Sequence, residues 1–310
     1  MSLLGSAGRA EGMSALFRAV EKRFGNLESL REPASVGVIT ADELRREDLE
    51  ALFEHRAAAV HVKGFYPAAA AAALAARLEL METTNWEISS GRGLESSDVT
   101  SISVPFNVAL GKGPEAVEAY FAAARALQRR LRAPPAPGAP PLLPPIDQLR
   151  LELDELWPHG ARAARDARGR AFLPGLPRIM RGPTRSLAGF VHVDDLAPLR
   201  AARGLFSANA YLRMPPAGGA LAVYPLAVRT RWDFYRHAAT LSGLMGQGAA
   251  AQDALRRALP PPLRVRPAPG DLVLLCAQRP HAAEGFPVGT RVSMQSFVTH
   301  ERGQALTLDT

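Results

Sequence analysis

Cysteine is nearly absent from this chain: Cys276 is the only one in 310 residues. A single thiol excludes an intramolecular disulfide and any cysteine-based zinc knuckle. Long apolar runs are missing too, and no stretch approaches the ~18–20 uncharged apolar residues that span a bilayer. The opening MSLLGSAGRAEGM has no basic region followed by an apolar core, so no signal peptide is expected. A cytoplasmic chain with no membrane partner is the expectation. Aromatic residues make up only 6%, and acids (30) are outnumbered by Lys and Arg (37), for a net charge of +7. An excess of positive charge raises nucleic acid as a partner. The basic residues are dispersed arginines rather than a patch, and aromatics for stacking are few, so nucleic acid is disfavoured. An anionic small-molecule substrate suits the same charge, and no pattern sets an oligomeric state.

What is present reads as one domain over 1–310. Residues 1–168 read as mostly helical. AAAAAALAARLELM has helix propensity, and EAVEAYFAAARALQRRL (115–131) has a buried stripe and Pro114 in its first turn. VHVKGFYP reads as a short strand ending at Gly64. The Pro-rich stretch 133–145 breaks regular structure and reads as a surface crossing within the domain. Residues 169–300 change character. Short β runs bounded by Gly, Pro and Asp follow one another, interrupted by one helical insertion from about 230 to 258. Strands at this spacing without alternating helices predict a sandwich or barrel, with the early helices packed outside it.

One of those runs, GFVHVDD (189–195), carries His192 and Asp194 at alternate positions, which share a face in a strand. Alone, the pair reads first as a structural hydrogen-bonded pair, with part of a metal site as the alternative. His281 follows the turn Pro269-Gly270-Asp271 and the apolar strand LVLLC, and Arg291 comes ten residues after it, with Ser293 at the i+2 position. Two histidines and a carboxylate suit divalent iron, occupying one face of an octahedron and leaving open positions. An arginine and a hydroxyl on one strand face suit a carboxylate ligand.

In these residues the chain resembles the iron(II)- and 2-oxoglutarate-dependent dioxygenases. The matching text is His192-Val-Asp194, PGDLVLL ahead of His281, GTRVS around Arg291, and SANAYLRMPPAGGALAVYP (207–225) as a further strand and hairpin. The resemblance covers about 170–300. It implies a mainly β fold with flanking helices: a double-stranded β-helix, a cupin-like jelly roll, packed by N-terminal α-helices and the helical insertion. It also implies that His192, Asp194 and His281 bind Fe(II), and that Arg291 pairs with the distal carboxylate of 2-oxoglutarate. Ser293 and Tyr211 would hydrogen-bond that cosubstrate, and Asn209, on the face of Tyr211, would approach it. O2 would be consumed, succinate and CO2 released, and an unactivated C–H bond oxidised. With Asp194 present, hydroxylation is implied rather than the halogenation of relatives that replace this carboxylate with a small residue.

The substrate wall is sought in three places. The polar stretch 83–107 reads as a lid or binding loop, offering Asn85, Trp86, Ser90 and Arg92. The 230–258 insertion offers Trp232, and Arg185 precedes the metal strand. An arginine there suits a substrate carboxylate, hence a free amino acid or a small natural-product intermediate. The same chemistry on a protein side chain or nucleobase, and a cupin-type binding protein without catalysis, stand as alternatives. His61, His237 and His300 read as ordinary polar or packing residues, and Asp195 as a turn-capping acid.

Overall fold

The computed structural model describes residues 15–90, 93–134, 143–195, 197–242 and 249–310, without the side chains of 86–97, 242 and 249. Residues 15–24 form helix α1. Then come β1 (Val38–Ala41), α2 (Arg46–Phe53), β2 (Ala59–Val62), α3 (Ala68–Glu79), β3 (Thr84–Ser90), β4 (Gly93–Ser101), α4 (Phe106–Gly111), α5 (Pro114–Arg132), α6 (Pro145–Leu156) and β5 (Ala161–Ala163). The second half runs β6 (Leu176–Arg181), β7 (Arg203–Arg213), β8 (Leu221–Val223), α7 (Arg231–Ser242), α8 (Ala249–Ala258), β9 (Leu263–Val265), β10 (Leu272–Cys276), β11 (His281–Ala283), β12 (Thr290–Glu301) and β13 (Leu306–Asp309).

Two sheets face each other. The larger has the order β1-β2-β10-β7-β12-β6-β4-β3, with β13 and β5 attached through β12; the smaller has the order β11-β8-β9. Residue His192 joins the free side of β11 through a single bridge to His281. From β6 onward the chain therefore visits large sheet, small sheet (at 192), large (β7), small (β8, β9), large (β10), small (β11) and large (β12). That alternation, with β10-β7-β12-β6 on one side and 192-β11-β8-β9 on the other, is a jelly roll, the double-stranded β-helix that the motifs implied.

Three apolar clusters follow from this layout. Tyr211, Leu221, Val223, Val265, Val273 and Leu275 pack between the sheets. The opposite face of the large sheet (Phe206, Ala208, Leu274, Val292, Met294) packs on helices α2, α3, α5 and α6 through Phe53, Leu74, Phe121 and Leu149. Alternation along β7, β10 and β12 thus serves two cores at once, which is why these strands carry few charges. Leu241, Leu255 and Leu259 of the insertion cover Val191, Ala222 and Ala282 of the small sheet.

The N-terminal half is less helical than its composition predicts, because β1–β5 extend the large sheet. The stretch 83–107 is corrected in particular. It is a β-hairpin, β3–β4, followed by α4, and β4 pairs with the edge of β6. Ser and Thr at 84, 89, 90, 96, 97, 100 and 101 give the stretch a composition that reads as loop. Of the Pro-rich stretch, 135–142 lies outside the described residues.

Candidate functional site

The segment GFVHVDD is not a regular strand but an extended segment laid along β11. Gly189 has φ +69°, and a Cβ there would lie 2.2 Å from the Ala283 carbonyl oxygen, so only glycine permits this approach. Three residues on, His192 and His281 exchange both backbone hydrogen bonds at 2.9 Å, and the Asp194 N–H donates to Ala277 at 2.9 Å. The two histidines are therefore direct cross-strand neighbours, with ring centroids 4.3 Å apart.

Their rings are pre-set. The Nδ1 atom of His192 lies 3.0 Å from the Phe190 carbonyl and that of His281 lies 2.9 Å from the Arg279 carbonyl. A carbonyl can only accept, so each Nδ1 carries the proton and each Nε2 presents its lone pair inward. Both Nε2 atoms face Asp194, at 3.7 Å from Oδ1 and 3.4 Å from Oδ2. One atom from each of the three residues can be chosen so that all lie within 4.8 Å of one another. Burial and the neighbouring His281 hold His192 down to about 4. Burial opposes the charge on Asp194, yet His281, His192 and Arg178 together pull its carboxyl to about 2. Burial also opposes protonation of His281, but Asp194 outweighs it and raises that group. The carboxylate is thus anionic at neutral pH. Two neutral-imidazole lone pairs and one carboxylate are a donor set that fits a divalent transition metal.

Across the cavity stands the large sheet. Ser293 pairs with Tyr211 on one side and Arg178 on the other, so these three share a face, joined by Arg291 two residues before Ser293. The Arg291 guanidinium is 8% exposed, and the one hydrogen bond it makes among the described residues is to the Met180 sulfur at 3.2 Å. Burial lowers its pKa, only partly offset by Tyr211. A buried guanidinium with a thioether as its companion has unused donors that could take an anion. Beside it, Asn209 donates to Ser207 at 3.0 Å and Gln295 donates to the same hydroxyl at 2.8 Å. Asn209 is therefore tied into the sheet next to Tyr211 and Ser293.

Arg178 was missed by sequence reading. It stands opposite Ser293 and Ser101, and burial drops its pKa to about 10, with Asp194 pulling it up and Arg291 lowering it further. Its charge is felt by the triad and by Arg291 alike. The signal available was a single arginine inside the otherwise apolar run LPRIM.

The expected substrate residues are placed differently from one another. Asn85 stands opposite Thr100, which is opposite Ile179, on the sheet face turned away from Arg178 and Ser293. Trp86 and Ser90 lie on β3 with side chains outside the described set, and Arg92 lies outside the described residues. Arg185 is bound to Asp98, its Nε 3.2 Å from Oδ1, and leans on Phe190. Trp232 is about half exposed and packs on Phe24 of α1, with ring centroids 5.5 Å apart. Asp195 caps the Ala197 N–H at 2.9 Å. Of the other histidines, His61 bonds to Asp271 at 2.7 Å, His237 accepts from the Asn26 N–H at 3.0 Å, and His300 stacks on Phe53.

No protein-family model and no curated protein matches the chain. Among solved structures it is similar to an N-substituted L-amino acid dioxygenase from Burkholderia ambifaria (16% identity over 74% of this chain and 100% of that one, TM-score 0.43). It is also similar to an oxidoreductase of the 2OG-Fe(II) oxygenase family from Burkholderia pseudomallei (12% identity, 87% and 97% covered, TM-score 0.43). A third is HygX from Streptomyces hygroscopicus, with nickel and 2-oxoglutarate bound (12% identity, 85% and 89% covered, TM-score 0.41).

Proposed function

We propose that this chain is an iron(II)- and 2-oxoglutarate-dependent oxygenase acting on a small, carboxylate-bearing molecule such as an amino acid or a natural-product intermediate. The observation that carries the reading is the pairing of two features across one jelly-roll cavity. On one wall are two Nε2 lone pairs and a carboxylate, each histidine fixed by its Nδ1 proton. On the other is a buried guanidinium whose companion is a sulfur atom. A metal alone explains the first and an anion alone the second; a keto acid that chelates a metal at one end and carries a free carboxylate at the other uses both.

His192, Asp194 and His281 would hold Fe(II), which when bound supplies activation of O2 coupled to decarboxylation of the keto acid. Arg291 would take the distal carboxylate of 2-oxoglutarate through its planar fork, with Ser293 and Tyr211 donating hydroxyl hydrogen bonds. Val273, Leu275 and Val223 line the space between the sheets. They exclude water and so strengthen the arginine–carboxylate attraction. Arg178 adds a second positive charge near Asp194, which supports a substrate that brings a negative charge to the cavity.

The test is anaerobic addition of Fe(II) and then 2-oxoglutarate to metal-free protein. A weak visible metal-to-ligand charge-transfer band, lost in Asp194→Ala and in His281→Ala, is expected, followed by succinate release once a substrate is found. A folded protein that gives no band would leave GFVHVDD as a structural segment and remove the oxygenase reading.

A further inference from the structure

A residue just before each of the two histidines, Val191 and Arg279, is gripped by an element outside the eight-stranded core. In the antiparallel bridge, His192 turns its N–H and C=O toward β11, so the corresponding groups of Val191 point the other way, off the edge of the small sheet. Among the described residues no strand lies there. Gln252 of α8, 1% exposed, occupies the position instead. Its Oε1 accepts from the Val191 N–H at 2.8 Å and its Nε2 donates to the Val191 carbonyl at 3.1 Å. One side-chain amide thus makes both hydrogen bonds of a missing strand, one residue before a triad histidine. Arg256, one turn further along α8, donates to the Gly189 carbonyl.

The second grip is ionic. Arg279 is fully buried and forks onto Glu32, Nε to Oε2 at 2.7 Å and Nη2 to Oε1 at 2.8 Å. Arg229 adds a contact to Oε1 at 3.1 Å. Glu32 is itself anchored, its N–H donating to the Pro225 carbonyl at 2.9 Å. The carbonyl of this same Arg279 receives the His281 Nδ1 proton, so locking the arginine fixes the acceptor that orients the ring.

We propose that Gln252 and the Glu32–Arg279 pair are positioning residues of the metal centre, so that the 230–258 insertion and the segment ahead of β1 set how tightly His192 and His281 take a divalent cation. This rests on reading the triad as a metal site. Outer partners of ligating histidines are worth about 10–100-fold in metal affinity. Here one partner acts on the backbone one residue before His192, and the other on the side chain two residues before His281. Two independent clamps on two ligands explain why an edge segment with a single bridge still presents both rings in register.

The experiment titrates the full-length metal-free chain with Co(II), read by its d–d absorption, in wild type, Gln252→Leu, Gln252→Glu, Glu32→Gln and Asp147→Asn. The last breaks a remote ion pair, Arg132 with Asp147 at 2.7 Å, and controls for general loss of stability. Gln252→Leu and Glu32→Gln should weaken Co(II) binding about 10–100-fold and alter the spectrum at saturation. Gln252→Glu, which keeps the acceptor for Val191, should weaken it less. Asp147→Asn should lower the melting temperature and leave Co(II) affinity unchanged. Folded Gln252 and Glu32 variants that bind Co(II) like wild type, or no worse than Asp147→Asn, would overturn the positioning role while leaving the metal site standing. If Gln252→Leu does not fold, Gln252→Glu and Glu32→Gln decide. Wild-type protein that binds no Co(II) would remove the metal reading and this inference together.

Discussion

Arg291, Ser293 and Tyr211 stand on two of the longest strands among the described residues, β12 with 12 residues and β7 with 11. Ser293 and Tyr211 lie in the continuous register that runs to Glu301–Arg203, and Arg291, past a register shift with β7, is held in the unbroken ladder with β6. His192 and His281 stand on pieces joined by one bridge, and β11 itself has three residues. The two walls of the cavity therefore solve different problems. Holding one carboxylate needs a single guanidinium at a fixed height, which a ladder of backbone hydrogen bonds supplies without help. Aligning three donor atoms on a common point also needs ring orientation, and that comes from carbonyls at Phe190 and Arg279, from Gln252 and from Glu32. The wall that carries Arg291 draws its rigidity from regular structure, and the wall that carries the two histidines draws it from side chains reaching in from added elements.

If the walls are separable, each can be broken without the other. The largest effect belongs to Asp194→Ala, which removes a donor atom outright. Co(II) affinity should fall by more than the ~100-fold that losing an outer partner costs, and the charge-transfer band should vanish, as calorimetry and visible absorption would show. Next comes Arg291→Leu. Without the guanidinium, 2-oxoglutarate binding in the presence of Co(II) should weaken by about 2–5 kcal/mol, the cost of truncating one partner of a buried charge pair. Metal affinity should be unchanged. The metal-free variant should also melt no lower than wild type, because it no longer buries a cation beside a thioether. A fall in Co(II) affinity in Arg291→Leu would show that the walls are one structure after all.

Much of this was legible in the sequence, for a physical reason. His192, Asp194, His281 and Arg291 are costly residue types to place in strands, so they stand out from the Val, Leu and Ala around them. Helices such as α3 and α5 announce themselves by local propensity. What did not show depends on contacts distant in the chain. The bridge between His192 and His281 closes a loop of 89 residues, and no local pattern specifies it. Arg178 faces the site only because β6 pairs with β12 in a particular register; shifted by one residue, it would point into the helical core. The β3–β4 hairpin looks like loop because its pairing partner, the edge of β6, lies about 80 residues on in the chain. Gln252 is an ordinary polar residue of an amphipathic helix until its amide meets Val191.

Two aspartates carry the contrast between regions one step further, with the smallest of the expected effects. Asp194 lies among His281, His192 and Arg178, which pull its carboxyl down to about 2. Asp309, on β13 along the outer ladder of β12, has burial as its single influence and is pushed up from 3.8 to about 6. A carboxyl whose pKa is higher in the folded state is bound to its proton more tightly there. Stability from this residue is therefore fully present below about pH 4, is lost as pH rises toward 6, and stays lost above it. Asp309→Asn keeps the shape and removes the charge. Urea unfolding should show no gain at pH 4 and a gain of roughly 2 kcal/mol at pH 7.5, since each pH interval between the two pKa values is worth about 1.4 kcal/mol before partial solvation reduces it. An equal gain at both pH values would mean that the asparagine acts through packing. A gain confined to the higher pH would show that the large sheet, unlike the small one, carries a charge with no cation to hold it.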